Sequence, residues 1–188
     1  IGPNVTIMNG ARIGKNNKFF PGAVIAAVPQ DLKFQGEETT VEIGDNNTFR
    51  ECVTVNRGTN AKMKTVVGSN NLLMAYTHVA HDCILGNSII IANSTQLAGE
   101  VEIDDFAIIG GMSAIHQFCH IGSHVMISGG SLIGKDIPPY VKAARNPISF
   151  AGVNSIGLRR RQYSNEKIQE IQDIYRILYL KGYNTSQA

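Results

Sequence analysis

The 188-residue sequence predicts an all-β solenoid of short parallel strands with an α-helical extension at its C-terminal end. Three observations predict it. Apolar residues recur every sixth position, small or β-branched residues recur two places before each of them, and near the end the apolar spacing changes to three and four.

The six-residue step runs Ile1, Ile7, Ile13, Phe19, Ile25 and resumes at Ile43, Phe49 and Val55. From Val67 to Ile133 every step lands on Val, Leu or Ile. The companion positions are Thr77, Cys83, Ile89, Thr95, Val101, Ala107, Ser113, Cys119, Val125 and Ser131. Two inward residues in six, alternating with outward ones, describe a short strand followed by a corner. Glycine often follows the apolar residue, at Gly2, Gly14, Gly44, Gly68, Gly86, Gly110, Gly122 and Gly134. There it is expected to supply the backbone angles of a turn.

Two stretches interrupt the pattern. Residues 27–40, "AVPQDLKFQGEETT", put Asp31 and Glu37 on apolar positions, and residues 56–65, "NRGTNAKMKT", do the same more mildly. Both are expected to protrude as loops. The repeat ends at residue 137, and residues 138–188 are expected to hold a connector and an incomplete helical region. Ser164 is the expected helix cap, with Ile168, Ile171, Ile174, Tyr175 and Leu178 along one face and Gly182 as the stop.

Composition narrows the function. A net charge of +2 gives no reason to expect a nucleic-acid partner. Neither a membrane-spanning run nor a basic-then-apolar leader is visible. The first residue is Ile rather than Met, so the sequence reads as a processed or trimmed chain. Cys52, Cys83 and Cys119 are odd in number and lack CxxC spacing, which reads as buried free thiols in a reducing compartment.

In a coil of eighteen residues, positions eighteen apart lie on neighbouring coils roughly 4.8 Å apart. His78 then points outward and His81 sits at a corner. Gly99 lies one coil above His81, Gln117 two above, and His116 shares the strip roughly 10 Å away. A single outward His would read as ordinary surface. Three on one strip, with Glu100 and Gln117, read as a functional site. His120 and His124 read as surface. A second column, Ala75, Asn93, Gly111 and Gly129, loses its side chains toward one end and is expected to form a slot beside the histidines.

The repeat resembles that of the hexapeptide-repeat family over residues 1–137. The resemblance implies a left-handed parallel β-helix, a triangular prism with three hexads per coil. Further motifs are more selective: "QDLKFQGE", "VEIGDNN", "RECVTVNRGT", "SNNLLMAYTHVAHDC", "DDFAIIGGMSAIHQFCHIG" and "GVNSIGLRRR". They resemble the family of UDP-N-acetylglucosamine O-acyltransferases of lipid A biosynthesis. Members move a 3-hydroxyacyl group from acyl carrier protein to the glucosamine 3-hydroxyl of UDP-N-acetylglucosamine.

The resemblance implies roles residue by residue. His81 would be the general base, Asp82 its orienting carboxylate and the Gly99 N–H an oxyanion donor. Gln30, Asp31, Lys33 and His78 would contact sugar or acyl groups. His116 and Gln117 would lie near nucleotide and acyl groups. Asn154, Arg160 and Arg161 would bind the nucleotide, an Arg fork suiting a diphosphate. Gly129 would end the acyl channel. Glu100 stands where a His is expected, and Ile156 where an acidic residue is expected. No metal or cofactor is implied, the acyl donor being carried on the phosphopantetheine of its carrier protein. A homotrimer in the cytoplasm, with sites between subunits, is implied as well. Other readings of the residues are the related N-acyltransferase of the same pathway, a γ-type carbonic anhydrase-like zinc protein, and a β-helix scaffold without catalysis.

Overall fold

A computed structural model describes residues 1–180; Gly182, the expected helix stop, lies outside them. Short strands wind into a left-handed parallel β-helix with three faces. The first face stacks Thr6–Ile7, Val24–Ala27, Thr54–Asn56, His78–Val79, Gln96–Leu97, Ala114–Ile115 and Leu132–Ile133. The second face stacks Ala11–Ile13, Thr40–Ile43, Lys64–Val67, Ile84–Leu85, Glu102–Ile103 and His120–Ile121. The third runs from Lys18–Phe19 through Thr48–Phe49, Leu72–Leu73, Ile90–Ile91, Ile108–Ile109 and Met126–Ile127 to Val141–Ala144.

The six-residue apolar column is the core. Val67, Leu73, Val79, Leu85, Ile91, Leu97, Ile103, Ile109, Ile115, Ile121, Ile127 and Ile133 are all buried. So are their companions, from Thr77 and Cys83 through Cys119, Val125 and Ser131. Two residues in six pack inside each coil and meet their counterparts in the next, so the apolar column is continuous along the prism. Cys83 and Cys119 are buried free thiols, and burial pushes the Cys83 thiol up to about 12. Cys52, expected to be buried, is exposed because it stands at a corner with φ of +55°.

The corners differ from the sequence expectation. The left-handed residue is the third after each inward apolar one: Asn70, Tyr76, Asp82, Ser88, Ser94, Glu100, Phe106, Met112, Phe118 and His124 all have φ between +56° and +67°. Such backbone costs on the order of 1 kcal/mol or more per non-glycine residue. It persists because its N–H is held by the preceding coil, as in Glu100 N–H to the His81 carbonyl at 3.0 Å and Met112 N–H to that of Asn93 at 2.8 Å. The glycines that follow the apolar residues serve close approach instead. A Cβ on Gly44 would lie 2.7 Å from the Gly68 carbonyl oxygen, and one on Gly122 would lie 2.6 Å from the Pro139 nitrogen.

Both interruptions leave the prism at the corner between the first and second faces. Strand pairing shows their size. Val24 pairs with Thr54, Thr54 with His78, and His78 with Gln96. The offsets are 54 − 24 = 30, 78 − 54 = 24 and 96 − 78 = 18, so the loops insert twelve and six residues.

The region beyond Ile137 is more structured than a plain connector. Val141–Ala144 pairs antiparallel with Ser149–Val153, and a short helix α1, Ser155–Arg160, precedes α2, Asn165–Leu180. Ser164 caps α2, its Oγ accepting from Lys167 N–H at 3.2 Å. Ile168, Ile171 and Tyr175 are buried, whereas Ile174 is 55% exposed.

Leu85→Ala is expected to cost about 2–5 kcal/mol, because the rigid coils around it cannot collapse into the vacated space. A lowered urea midpoint relative to wild type checks this.

Candidate active site

The corner between the first and second faces is where the chemistry collects. Stacked along it are the loop of residues 28–39, the loop of 57–63, the turn carrying His81 and Asp82, and the turn carrying Gly99 and Glu100. The first loop builds an outer wall with residues 30–33, and the second packs against Asp82 through Thr59 and Lys62. Between wall and edge lies a cleft of about 710 Å³ lined by Gln30, Asp31, Leu32, Lys33, Asn56, His78, Ala80, His81, Glu100, Gln117 and Phe118.

His81 and Asp82 are adjacent in sequence yet face different environments. Asp82 takes the left-handed corner conformation and its carboxylate is fully buried, while the His81 side chain stays 17% exposed. Asp82 Oδ2 lies 2.9 Å from His81 Nδ1. An ionised carboxylate only accepts, so Nδ1 carries the proton and Nε2 of the neutral ring keeps its lone pair. Nε2 is 3.9 Å from Asp31 Oδ2, across the cleft. A buried charge must have its lone pairs filled. Thr59 supplies its N–H at 3.0 Å and its hydroxyl at 2.6 Å, and Lys62 N–H adds a bond at 3.2 Å.

Gly99 is buried one coil above and touches the imidazole. A Cβ there would fall 2.5 Å from His81 Nε2, so only glycine leaves the ring its place. Among the described residues its N–H has no acceptor. That holds at equivalent corner positions such as Asn93 and Gly111 too; the neighbouring imidazole is what distinguishes Gly99.

His78 bonds through Nδ1 to Thr54 Oγ1 at 2.7 Å. Burial, with a smaller effect from His81, holds its imidazole below the ordinary value. His116 is exposed, its Nδ1 3.2 Å from the Gln117 carbonyl oxygen, and it does not line the cleft.

The remaining predicted residues lie elsewhere on the prism. Arg161 sits near the corner between the second and third faces, its guanidinium donating to the Phe106 carbonyl at 3.0 Å and to that of Gly157 at 3.3 Å. It also stacks over the Phe106 ring at 5.1 Å. Arg160 is exposed beside it, as is Ile156. Asn154, for which the resemblance implies a nucleotide contact, stands at the start of α1. It is 6% exposed, accepts from Gly157 N–H at 3.2 Å and donates to the His124 carbonyl at 2.9 Å, capping α1. His124 is not surface either: it is 8% exposed and stacked between Phe106 and Tyr140. His120 is paired with Asp104 at 3.0 Å. The column ending in Gly111 and Gly129 lies at the corner between the third and first faces, across the first face from His81 rather than beside it.

Sequence reasoning missed Thr54, Asn56, Thr59 and Lys62. Stepping eighteen residues back from His78 gives Asn60, but the inserted loop makes Thr54 the true neighbour. Asn56 is 2% exposed, with its Oδ1 unpaired among the described residues and its side chain at the cleft. Among the described residues no three His, Cys, Asp or Glu side chains gather as a metal site, and no helix is long and apolar enough to cross a membrane.

Fold and corner together are those of a hexapeptide-repeat protein with a carboxylate-oriented histidine. A family model described as "Udp N-acetylglucosamine O-acyltransferase; Domain 2" matches residues 136–188. The acyl-[acyl-carrier-protein]–UDP-N-acetylglucosamine O-acyltransferase of Aliarcobacter butzleri is 51% identical over 90% of this chain and 66% of its own length. The crystal structure of LpxA, a UDP-N-acetylglucosamine acyltransferase from Bacteroides fragilis, is 60% identical with a TM-score of 0.96 over 97% of this chain and 72% of that one. LpxA from Acinetobacter baumannii is 45% identical with a TM-score of 0.93, over 100% of this chain and 75% of that one. The chain belongs to the UDP-N-acetylglucosamine O-acyltransferase family. It spans about two thirds of the length of the curated relatives it matches (66% and 67%).

Gly99→Ala is expected to leave the coil intact and displace the His81 ring. A crystal structure of the variant, showing the His81 Nδ1 to Asp82 bond lengthened beyond 3.5 Å or lost, checks this.

Proposed function

We propose that the protein transfers a 3-hydroxyacyl chain from acyl carrier protein to the glucosamine 3-hydroxyl of UDP-N-acetylglucosamine, the first step of lipid A biosynthesis. The observation that carries this reading is the His81–Asp82 pair presented to the cleft, with Gly99 against the ring. Family membership supplies the substrates.

A sugar hydroxyl is a weak nucleophile, and a base titrating near neutrality makes its attack feasible. His81 Nε2 takes the hydroxyl proton as the oxygen bonds to the thioester carbon. Asp82 holds the ring in the required tautomer and balances the imidazolium. The carbonyl oxygen becomes an oxyanion, to which the Gly99 N–H donates. Collapse re-forms the carbonyl, breaks the carbon–sulfur bond and releases phosphopantetheine thiolate, which takes the proton back from His81. The protein's own residues supply each of these steps, without a cofactor.

Asp31, Lys33, Gln30 and Glu100 lie within reach of a sugar held at Nε2, since all line the same cleft. Arg160 and Arg161 lie at another corner of the same chain, so their proposed contact with the nucleotide requires a neighbouring copy. Exposed apolar side chains on or beside the first face, Tyr76, Met112, Phe118 and Leu132, each 61–77% exposed, favour such packing. We read the assembly as a homotrimer with sites between subunits, acting in the cytoplasm.

Purified protein, UDP-N-acetylglucosamine and a panel of 3-hydroxyacyl carrier proteins, with and without chelator, test the reading. A chelator-insensitive 3-O-acylated product is expected. His81→Ala is expected to remain folded and to lose about 10²- to 10⁴-fold in turnover; near-wild-type turnover would refute the assignment. Gly129→Met is expected to shift the preferred acyl chain to a shorter length in the same panel.

A further inference from the structure

The Asp82 carboxylate is fully buried, and among the described residues its only ion-pair partner is His81. The nearby Lys62 ammonium is spent on Glu102 at 2.8 Å. The charge of Asp82 therefore rests on hydrogen bonds, most of them from one residue. Thr59 N–H lies 3.0 Å from both carboxylate oxygens, and Thr59 Oγ1 lies 2.6 Å from Oδ2, the oxygen that also meets His81. The hydroxyl itself accepts from Ala61 N–H at 3.2 Å, which leaves its own proton for Asp82. Thr59 is 7% exposed and does not line the cleft that His81 faces.

We propose that Thr59 is a positioning residue for the transfer reaction: its hydroxyl and N–H set the rotation of the Asp82 carboxylate, so that Oδ2 meets Nδ1 and His81 keeps its lone pair at Nε2. The inference rests on the reading of His81 as the base. The loop of residues 57–63, which interrupts the repeat, is then part of the catalytic apparatus. Every other donor to Asp82 from this loop is a backbone N–H, which no side-chain substitution removes. Among the described residues, the Thr59 hydroxyl is the one side-chain donor that this loop gives the carboxylate.

Thr59→Val keeps the shape and deletes the hydroxyl, leaving a buried carboxylate lone pair unfilled. Turnover is expected to fall about tenfold or more, with KM for UDP-N-acetylglucosamine within about twofold of wild type. Thr59→Ser is expected to recover most of the turnover, and ¹⁵N-labelled protein should show the His81 Nδ1–H signal in wild type and Thr59→Ser but weakened in Thr59→Val. Should Thr59→Val not fold, Thr59→Ala takes its place in each comparison. Wild-type turnover in the hydroxyl-less variant overturns the proposal, provided His81→Ala is inactive in the same assay. So does a loss confined to KM, or a Thr59→Ser variant as slow as Thr59→Val. An active His81→Ala would instead remove the reading of the base itself.

Discussion

Every coil among the described residues rests on its neighbour through the stacking of inward side chains and through parallel backbone bonds. Val79 lies over Val55 and under Leu97, which lies under Ile115. Removing apolar surface from water along this column supplies the driving force. Parallel pairing holds each two-residue strand, too short to persist alone, in register. Because inward and outward positions alternate, burial of the column also decides which side chains face outward. His78 is outward because Val79 is inward.

The same constraint shapes the corners. A coil must turn sharply between strands, and the turn is made by a left-handed residue bonded to the preceding coil. That residue can be Asn, Ser, Phe, Asp or Glu, so a corner can bear chemistry where a strict glycine turn could not. Asp82 exploits this. Its corner backbone directs the carboxylate against the second loop, where the donors of Thr59 and Lys62 fill its lone pairs. His81, one residue earlier, stays at the cleft. Two neighbouring residues thus occupy opposite dielectric environments, as an oriented base requires.

The fold was legible because its signal is repetitive. Ile103 or Leu97 alone says little, but the unbroken run from Val67 to Ile133 admits few architectures, and every member proved buried. The strip of His78, His81 and Gly99 followed from the same arithmetic, because that part of the chain has regular coils of eighteen. The arithmetic failed wherever the chain left the prism. Thr54 and Thr59 could not be placed, since a loop's length does not set where its strands land. Pairing sets that; the count of six stays in phase only because insertions of twelve and six residues are themselves multiples of six. His124 is buried rather than at the surface for a different reason: Tyr140 and Asn154, which pack on it, come from the segment beyond the repeat, whose packing the count of six does not predict.

The distribution of residues over the prism bears on how a site of this kind can work. A convex three-sided rod offers little concavity of its own, and a ligand lying on one corner stays largely in water. The first loop corrects this locally, walling the cleft at His81, and the second holds Asp82 through Thr59 and Lys62. They cannot bring Arg160 and Arg161 or the Gly129 corner to that cleft, because each stands on a different edge of the rod. The family resemblance assigns all three groups to one long substrate pair, a nucleotide sugar and an acyl chain. On that assignment, the geometry of a single chain divides the substrate among three edges, and only edges of different copies set side by side reunite it. Assembly would then be a condition of the chemistry, with the exposed apolar side chains beside the first face supplying the surface on which the copies meet.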